Sequence, residues 1–352
     1  MAPGNQSGSS EFLLLGFSGF RHQQMALFMF FLALYTVAVV GNLSIMTTIW
    51  LDPRLHSPMY FFLGNLSLID ICFTSVTMPK LLLTLLTGDA SISFIGCFCQ
   101  MYFFVFLGVT EMFLLAAMAY DRYVAICDPL RYAALVSHKL CAALVASSWS
   151  AAALHSLLHI VIISHLSYCG RRRIHHFFCD MTALLKLSCS DTSTSELVIF
   201  TEGSLVIMSP FLFILSSYVV ILSVILKIHS AEGRKKAFST CSSHLTVVTL
   251  FYGTVIFIYF RPSSSYSDSY DRIVSVIYSV VTPMLNPFIY SLRNTEVKGA
   301  LRKAASRIVG WQFVPAHPLM GPSGKWTMEE EEGEKLENGG GESKDMPDSK
   351  WH

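Results

Sequence analysis

The chain has 352 residues, of which 53% are hydrophobic and only 14% charged, and its formal net charge is +1. Soluble domains usually carry about a quarter charged residues, so this composition favours a membrane protein. A net charge so close to zero gives no reason to expect nucleic acid as a partner.

Residues 1–24 are predicted to form a segment outside the cell. Asn5-Gln6-Ser7 is a sequon for N-linked glycosylation, which favours an extracellular position for Asn5. The apolar stretch 12–20 is short and no basic residue precedes it, so we expect no cleaved signal peptide.

Seven stretches between residues 25 and 293 are long and apolar enough to cross a bilayer. A spanning helix needs about 20 mostly apolar residues for a core of roughly 30 Å. Because the backbone must satisfy its own hydrogen bonds in lipid, each stretch is predicted to be a helix. The sequence therefore predicts an all-α membrane protein with a seven-transmembrane helix bundle. The spans are approximately 25–50, 58–86, 95–119, 140–165, 197–226, 237–260 and 273–292.

Lys and Arg in the connections favour an extracellular amino terminus. With that orientation the inner side collects thirteen basic residues and the outer side eight, of which three form the cluster Arg171 to Arg173. The basic stretch 294–308 is predicted to be an amphipathic helix on the inner leaflet. Residues 309–352 contain the acidic run Glu329 to Glu332 and few apolar residues, which predicts a disordered cytoplasmic tail.

Two polar motifs lie at the predicted inner ends of spans. MAYDRYVAIC, from Met118 to Cys127, ends the third span, and the simplest interpretation is a polar helix end with a snorkelling arginine. In the seventh span Pro287 removes a backbone donor, and Asn286 beside it can bond the freed backbone or a neighbouring helix.

Taken together, the motifs are similar to those of a known receptor family. MAYDRYVAIC, KAFSTCSSHL and PMLNPFIYSLRN occur in order in the third, sixth and seventh spans, and PMYFFL opens the second. With Gly41-Asn42 and Ser217-Tyr218, they closely resemble the olfactory receptors, a family of rhodopsin-like G-protein-coupled receptors. The resemblance covers roughly residues 11–307. It includes Phe251-Tyr252-Gly253 in the sixth span, where many other rhodopsin-like receptors carry a tryptophan and a proline.

The resemblance implies a switch at the inner end of the bundle. Arg122 would be held in the inactive state by Asp121 and by groups on the sixth helix, and would turn toward a heterotrimeric G protein on activation. The basic run Arg234 to Lys236 would face the G protein or acidic lipid, although an ordinary positive-inside loop explains it equally well. The implied switch residues are Asp121, Arg122, Tyr123, Tyr218, Asn286, Pro287 and Tyr290.

Asp70 and Glu111 are predicted to lie at mid-membrane depth. A buried charge is costly there, so such acids are normally paired, protonated or functional. By the resemblance they match a polar cluster with Asn42 and Asn286 that sometimes holds a sodium ion. A protonated structural network is the alternative, and both interpretations stay open.

Nine cysteines are too few for a disulfide scaffold and are considered one by one. On an oxidising exterior Cys97 and Cys179 would pair. The family pattern then joins Cys169 to Cys189, whereas the residues alone allow three connectivities. We expect Cys99 to be a core residue of the third helix.

The resemblance also places a ligand site among the outer halves of the helices. Small-molecule sites are mostly apolar with a few orienting polar groups, which suits a volatile hydrophobic molecule here. Glu202 is the polar exception and could accept a hydrogen bond or pair with an amine if it faces inward. The implied ligand residues are Phe104, Val105, Gly108, Val109, Glu202, Val206, Tyr252, Val255, Ile256, Tyr259, Tyr278 and Ser279.

The expected function is that of a multi-pass plasma-membrane odorant receptor. Its partners would be a small odorant, the lipid bilayer and a heterotrimeric G protein of the stimulatory class, which raises cyclic AMP. A non-olfactory rhodopsin-like receptor for an endogenous metabolite is the nearest alternative.

Two other classes of protein are less well supported by the sequence. Buried acids could line the ion path of a transporter or channel, but the chain shows no internal repeats with paired broken helices. We expect no enzyme, because no P-loop, G-x-S-x-G or H-E-x-x-H motif occurs.

Overall fold

The computed structural model describes residues 11–17, 23–170, 172–259, 268–293 and 297–300. Seven of its helices are long and apolar enough to span a membrane, which confirms the predicted fold class. We label these helices α1 to α7 in chain order. They are α1 (Gln24–Leu51), α2 (Pro58–Thr87), α3 (Phe94–Cys127), α4 (His138–Ser164), α5 (Ser193–Leu226), α6 (Ala231–Tyr259) and α7 (Asp268–Val276 and Thr282–Arg293, joined by the π-helical turn Ile277–Val281).

Helix α3 forms the centre of the bundle. In the most apolar stretch of α3, 67% of the residues are buried. In the corresponding stretch of α1 only 17% are buried, so the remaining surface of α1 is free to face lipid. Five side chains of α3 are completely buried: Cys97, Thr110, Leu114, Leu115 and Ala119. The central helix therefore contacts groups from most of the others, and its two ends define the two candidate regions of the site.

Two helices extend beyond their predicted spans at the same end of the bundle. α3 continues to Cys127, past the predicted boundary at residue 119, and α6 begins at Ala231, before the predicted start at residue 237. The 34 residues of α3 rise about 51 Å, more than a bilayer core of roughly 30 Å. A helix needs no apolar residues outside that core, so counting apolar residues ends the spans too early. We call this end of the bundle the Asp121 end.

A small sheet that the all-α prediction omits lies at the opposite end. Strand β1 (Glu11–Leu14) runs antiparallel to β2 (Ser91–Ser93) and parallel to β3 (Arg173–Ile174), in the order β2-β1-β3. Phe12 and Leu14 are buried and alternate with exposed neighbours, as in a strand with one face on a core. Such short strands are hard to predict, because they hold too few residues to show a period of two.

Two disulfides lie at this same end, which we call the disulfide end. Cys97 is bonded to Cys179 and Cys169 to Cys189, with Cα–Cα distances of 5.3 and 6.0 Å. Both predicted pairings are confirmed. The prediction that Cys99 is a core residue is wrong, since Cys99 is exposed. Two residues along an α-helix amount to a rotation of about 200°, so Cys97 and Cys99 point to opposite sides.

Several predicted segments fall largely outside the described residues. The sequon at Asn5 and the segment 309–352 lie there entirely. Of the predicted amphipathic helix 294–308, only 297–300 are described. Those four residues are helical, and Val297 and Ala300 are buried.

Candidate functional site

At the Asp121 end, the predicted switch residues of α3 lie beside the short helix Tyr132–Leu135. Asp121 is buried, and its Oδ2 lies 3.4 Å from Nη2 of Arg122. The Tyr132 hydroxyl donates a hydrogen bond to Oδ1 of Asp121 at 2.6 Å. Burial, with a further contribution from the Asp121 carboxylate, raises the pKa of Tyr132, so the phenol remains a donor at neutral pH. Tyr123, by contrast, is exposed on the helix surface.

One buried histidine ties α6 to both α3 and α5. Nε2 of His244 lies 3.1 Å from the carbonyl oxygen of Leu115, and Nδ1 lies 2.8 Å from the hydroxyl of Tyr218. Because a carbonyl can only accept, Nε2 carries the proton and Nδ1 accepts from Tyr218. His244 belongs to the motif KAFSTCSSHL, but the motif alone does not indicate this role. The available signal was a single histidine in a span that lacks Asp, Glu, Lys and Arg.

Arg122 and Tyr290 have few polar partners at this end. Among the described residues, the ion pair of Arg122 is with Asp121, and its Nη2 is buried without a hydrogen-bond partner. Cys241 and His244 of the sixth helix lie within electrostatic reach of Arg122, and His244 bonds to Leu115 of α3. Tyr290 is buried, and its hydroxyl also lacks a hydrogen-bond partner. Two strong donors, one on α3 and one on α7, are thus left free to take new partners.

The proline in α7 is compensated by a side chain from α1. Pro287 has no N–H to donate to the carbonyl of Pro283 one turn earlier. Nδ2 of Asn42 donates to that oxygen at 3.0 Å instead. Close approach of the helices permits this, since a Cβ added to Gly41 would lie 3.2 Å from Cγ of Pro287. Gly41 and Asn42 of α1 therefore accommodate the proline of α7.

Asp70 and Glu111 form the predicted polar core on α2 and α3. Both are completely buried or nearly so, at 0% and 1% exposure. Nδ2 of Asn286 donates to the two carboxylate oxygens of Asp70 at 3.1 and 2.9 Å. Among the described residues neither acid forms an ion pair with a basic side chain. Within this core, three buried oxygens of the described residues lack hydrogen-bond partners: Oδ1 of Asn42, Oε1 of Glu111 and Oδ1 of Asn286.

Toward the disulfide end, several predicted ligand residues meet in an aromatic cluster. The ring of Phe104 stacks on Phe73 and tilts against Phe178, with centroid distances of 4.8 and 4.3 Å. Tyr278 meets the edge of Phe104 at 5.6 Å. Gly108 makes room for it, because a Cβ there would come within 2.5 Å of the Tyr278 hydroxyl oxygen. The cluster is closely packed and apolar, with phenol groups at its margin.

The loop between α4 and α5 covers this cluster, and three contacts fasten it to α3 and α7. The Cys97–Cys179 disulfide joins it to α3, and the backbone N–H of Cys179 donates to Oε1 of Gln100 at 2.9 Å. Nε2 of His176 lies 3.1 Å from Oγ of Ser275 on α7. The disulfide was predicted from the sequence, whereas the contacts of Gln100, His176 and the ring of Phe178 were not.

The remaining predicted ligand residues divide between buried and margin positions. Val109, Tyr252, Val255 and Ser279 are buried, and the hydroxyl of Tyr252 reaches the carbonyl oxygen of Met112 at 3.4 Å. Two cavities, of about 50 and about 450 Å³, are lined by other residues. The partly buried positions are Val105, Val206, Ile256 and Tyr259.

Glu202 of α5 faces α4. One of its carboxylate oxygens lies 2.7 Å from Nδ1 of His155 and the other 2.9 Å from Nε2 of His159. The predicted capacity of this residue to accept hydrogen bonds is thus directed at two histidines of the neighbouring helix.

Comparison with known proteins places the chain in a family. A family model described as olfactory receptor matches residues 31–307. The chain belongs to the olfactory receptor family. The human olfactory receptor 1F1 is 54% identical over 309 residues, which cover 88% of this chain and 99% of that protein. The rat olfactory receptor 1f45 is 54% identical over 303 residues, covering 86% of this chain and 97% of that one.

A solved structure supports the same fold. Squid rhodopsin superimposes with a TM-score of 0.63 at 17% sequence identity, over 82% of this chain and 87% of that one. This olfactory receptor therefore has the fold of a G-protein-coupled receptor. Membership of the family identifies it as a multi-pass signalling receptor and implies an odorant ligand and a G protein as partners.

Proposed function

We propose that this olfactory receptor binds a small, mostly apolar odorant in the bundle and activates a stimulatory heterotrimeric G protein, which raises cyclic AMP. It would do so in the plasma membrane, with the disulfide end outside the cell and the Asp121 end in the cytoplasm. An oxidising exterior is where disulfides form and persist. The bond network of His244 carries this proposal most directly, because it is a contact between helices that can open at the cytoplasmic end.

In the proposed resting state, α6 is closed against α3 and α5. The hydrogen bonds that His244 donates to Leu115 and accepts from Tyr218 must break if α6 is to swing outward. Arg122 and Tyr290 would then supply donors to a G protein or to each other, since both have unpaired polar atoms in the closed form. Exposed Arg234 and Lys235 at the start of α6 would meet the G protein or acidic lipid.

The ligand would act on this equilibrium from the aromatic cluster. A ligand shifts two states only by its differential affinity for them. In the closed form the cluster is filled by Phe104, Phe178 and Tyr278. An apolar odorant that replaces these ring contacts would change the packing of α3 against α7 and the loop. The few phenol and hydroxyl groups nearby would orient it.

The polar core supports either a shared proton or a sodium ion. Hard cations are bound by oxygen atoms, and the unpartnered oxygens of Asn42, Glu111 and Asn286 fit such an ion together with Asp70. A bound sodium ion would supply positive charge that offsets the two buried carboxylates. The residues themselves hold α1, α2 and α7 in register, through the bonds of Asn42 and Asn286.

The proposal is tested by cyclic AMP measurements in cells that co-express the full chain and a stimulatory-class Gα subunit during an odorant screen. At least one odorant should raise cyclic AMP, and Arg122→Ala should abolish the response at unchanged surface expression. Arg131→Ala is the matched control, because Arg131 is exposed and its ion pair with Asp128 is long, at 4.0 Å.

Other outcomes would support other functions. A response to endogenous metabolites alone would favour the non-olfactory receptor. Agonist-evoked current in vesicles without G protein, unchanged in Arg122→Ala, would contradict the receptor mechanism and favour a channel.

A further inference from the structure

His155, His159 and Glu202 form a compact set of metal-ligating groups outside the aromatic cluster and the Asp121 end, although Glu202 is one of the residues predicted for the ligand site. The two histidines lie four residues apart on α4, one helical turn, and the glutamate reaches them from α5. One potential ligand atom from each residue lies within 4.8 Å of the others. Two imidazoles and a carboxylate are a donor set that Zn²⁺ and related divalent transition metals prefer.

The spacing of the atoms is close to what a tetrahedral ion needs. Zinc binds imidazole nitrogen and carboxylate oxygen at roughly 2.0–2.2 Å, so neighbouring ligand atoms lie about 3.4 Å apart. The present nitrogen–oxygen distances to Glu202 are 2.7 Å from His155 and 2.9 Å from His159. Lengthening these two distances by about 0.5–0.7 Å would admit the ion. The two rings are already inclined at 67°, with centroids 4.4 Å apart.

The helix that carries the histidines is held in place from the other side. Ser156 is buried and donates from Oγ to the carbonyl oxygen of Tyr102 on α3 at 2.7 Å. That bond fixes the rotation of α4 between the two histidines, so both rings project toward α5. A metal site gains from such support, because ligands that are already oriented need little rearrangement.

The three metal-ligating residues are exposed on one side. The side chains of His155 and His159 are 9% and 2% exposed, whereas that of Glu202 is 30% exposed. An ion could enter past Glu202 and keep water or another ligand in its fourth position. Zinc sites with three protein ligands typically keep that position open.

We propose that His155, His159 and Glu202 bind one divalent transition-metal ion, with Zn²⁺ as the best-matched ion, and that the ion joins α4 to α5. The ion would take the place of the two bridging protons, and each neutral imidazole would carry its one proton on the ring nitrogen that faces away from the ion. This inference does not depend on the odorant or on the class of G protein. It would restrain the outer half of α5 against α4.

The direct test is metal titration of the purified full chain in lipid nanodiscs after removal of metal with a chelator. Co²⁺ serves as the spectroscopic probe and Zn²⁺ as the competitor. We expect one Co²⁺ per chain, the strong visible absorption of tetrahedral cobalt, no thiolate-to-cobalt charge-transfer band, and displacement by Zn²⁺. Saturating Zn²⁺ should also raise the unfolding temperature, as any ligand of the folded state does.

Variants assign the binding to these residues. Glu202→Gln and His159→Gln should each weaken binding by about 100-fold or more, beyond the roughly 10–100-fold typical of a lost outer partner. Matched controls are Glu196→Gln on α5 and His165→Gln just after α4, both exposed, which should bind as the parent does. His155→Cys should keep a ligand and add a thiolate charge-transfer band, a gain that misfolding cannot produce.

Three results would overturn the inference. The first is a folded parent chain with no saturable metal binding, which would leave a hydrogen-bonded triad only. The second is equal affinity in the parent, Glu202→Gln and His159→Gln. The third is a thiolate band in the parent, which would move the ion to a cysteine elsewhere. Because no G protein is present in these measurements, their failure is separate from failure of the proposed receptor function.

Discussion

At the disulfide end, two covalent bridges and stacked aromatic rings hold the chain, whereas at the Asp121 end the described elements are joined by single hydrogen bonds of Asp121 and His244. Disulfides and ring contacts keep a fixed frame around an apolar interior that can adjust its shape. Hydrogen bonds are directional, so if α6 moves away, His244 must exchange its specific partners Leu115 and Tyr218 for others. The molecule thus combines a fastened end, suited to holding a ligand, with an end that can change between discrete arrangements.

The largest expected effect tests the fastened end. Cys97→Ser should remove the disulfide to Cys179 and lower the free energy of unfolding by about 2–5 kcal/mol, enough to prevent folded receptor from reaching the cell surface. Surface labelling of an epitope-tagged chain measures this. The control is Cys99→Ser, because Cys99 is exposed, unpaired and two residues away on the same helix.

Chain separation makes the two disulfides unequal. The cysteines of the first pair are 82 residues apart and those of the second 20. Because the longer loop restricts the unfolded chain more, the first disulfide should contribute about 1 kcal/mol more to the free energy of unfolding than the second. Cys169→Ser should therefore reduce surface expression less than Cys97→Ser does. Equal loss in Cys99→Ser and Cys97→Ser would contradict the assignment of the frame to the disulfide.

The next effect tests the hydrogen-bonded end. His244→Phe removes the bonds to Leu115 and Tyr218, which together are worth about 1–3 kcal/mol, a factor of about 5–150 in the balance of two states. We expect basal cyclic AMP without odorant to rise. His229→Phe is the control, because His229 is exposed between α5 and α6. Basal signalling that stays flat at normal surface expression would show that His244 does not hold the closed state.

A third substitution tests whether the aromatic cluster transmits ligand binding. Gly108→Ala places a methyl group 2.5 Å from the hydroxyl oxygen of Tyr278, so the tyrosine or α3 must move. Overpacking of this kind is worth about 1–3 kcal/mol. We expect a weaker odorant response in dose–response measurements of cyclic AMP, and partial recovery in Gly108→Ala/Tyr278→Phe, which lacks that oxygen.

The control and the contrary outcome for this substitution are equally specific. Gly203→Ala on α5 adds a methyl group where no atom lies within 4 Å, so it should leave the response unchanged. Additive effects of Gly108→Ala and Tyr278→Phe would show that the two residues do not interact in the functional receptor.

The contrast between the two ends also explains which features could be predicted from the sequence. Lipid forces spanning segments to be long, apolar and helical, so all seven helices follow from hydropathy alone. The sheet formed by β1, β2 and β3 joins residues near 12, 92 and 173. Short strands so far apart in sequence leave no periodic pattern. The ends of α3 and α6 were missed because helices continue into water without apolar residues.

For the candidate site, motifs identified residues but not their partners. Asp121 and Tyr218 stand in recognisable sequences, while their partners Tyr132 and His244 lie 11 and 26 residues away in other elements. The direction of Glu202 depends on how α5 is rotated against α4, and that rotation is set by packing of the whole bundle. Residue types could therefore be predicted, whereas pairings between helices required coordinates.

The smallest expected effect returns to the fastened end and depends on pH. The hydroxyl of Tyr168 donates to the carbonyl oxygen of Ile163 at 3.0 Å, just after α4, and burial raises the pKa of Tyr168 to about 12. The ordinary pKa of tyrosine is about 10, so above pH 10 the unfolded chain loses this proton while the folded chain keeps it.

The stabilisation from Tyr168 is thus complete below about pH 10 and is lost as pH rises toward about 12. Tyr168→Phe should lower the free energy of unfolding by about 0.5–1.5 kcal/mol at neutral pH and flatten its decline above pH 10. Thermal unfolding of the purified chain across this range measures both, with exposed Tyr270→Phe as the control. Parallel pH profiles for the parent and Tyr168→Phe would mean that the Tyr168 phenol ionises freely, so that the disulfide end is open to water at this residue.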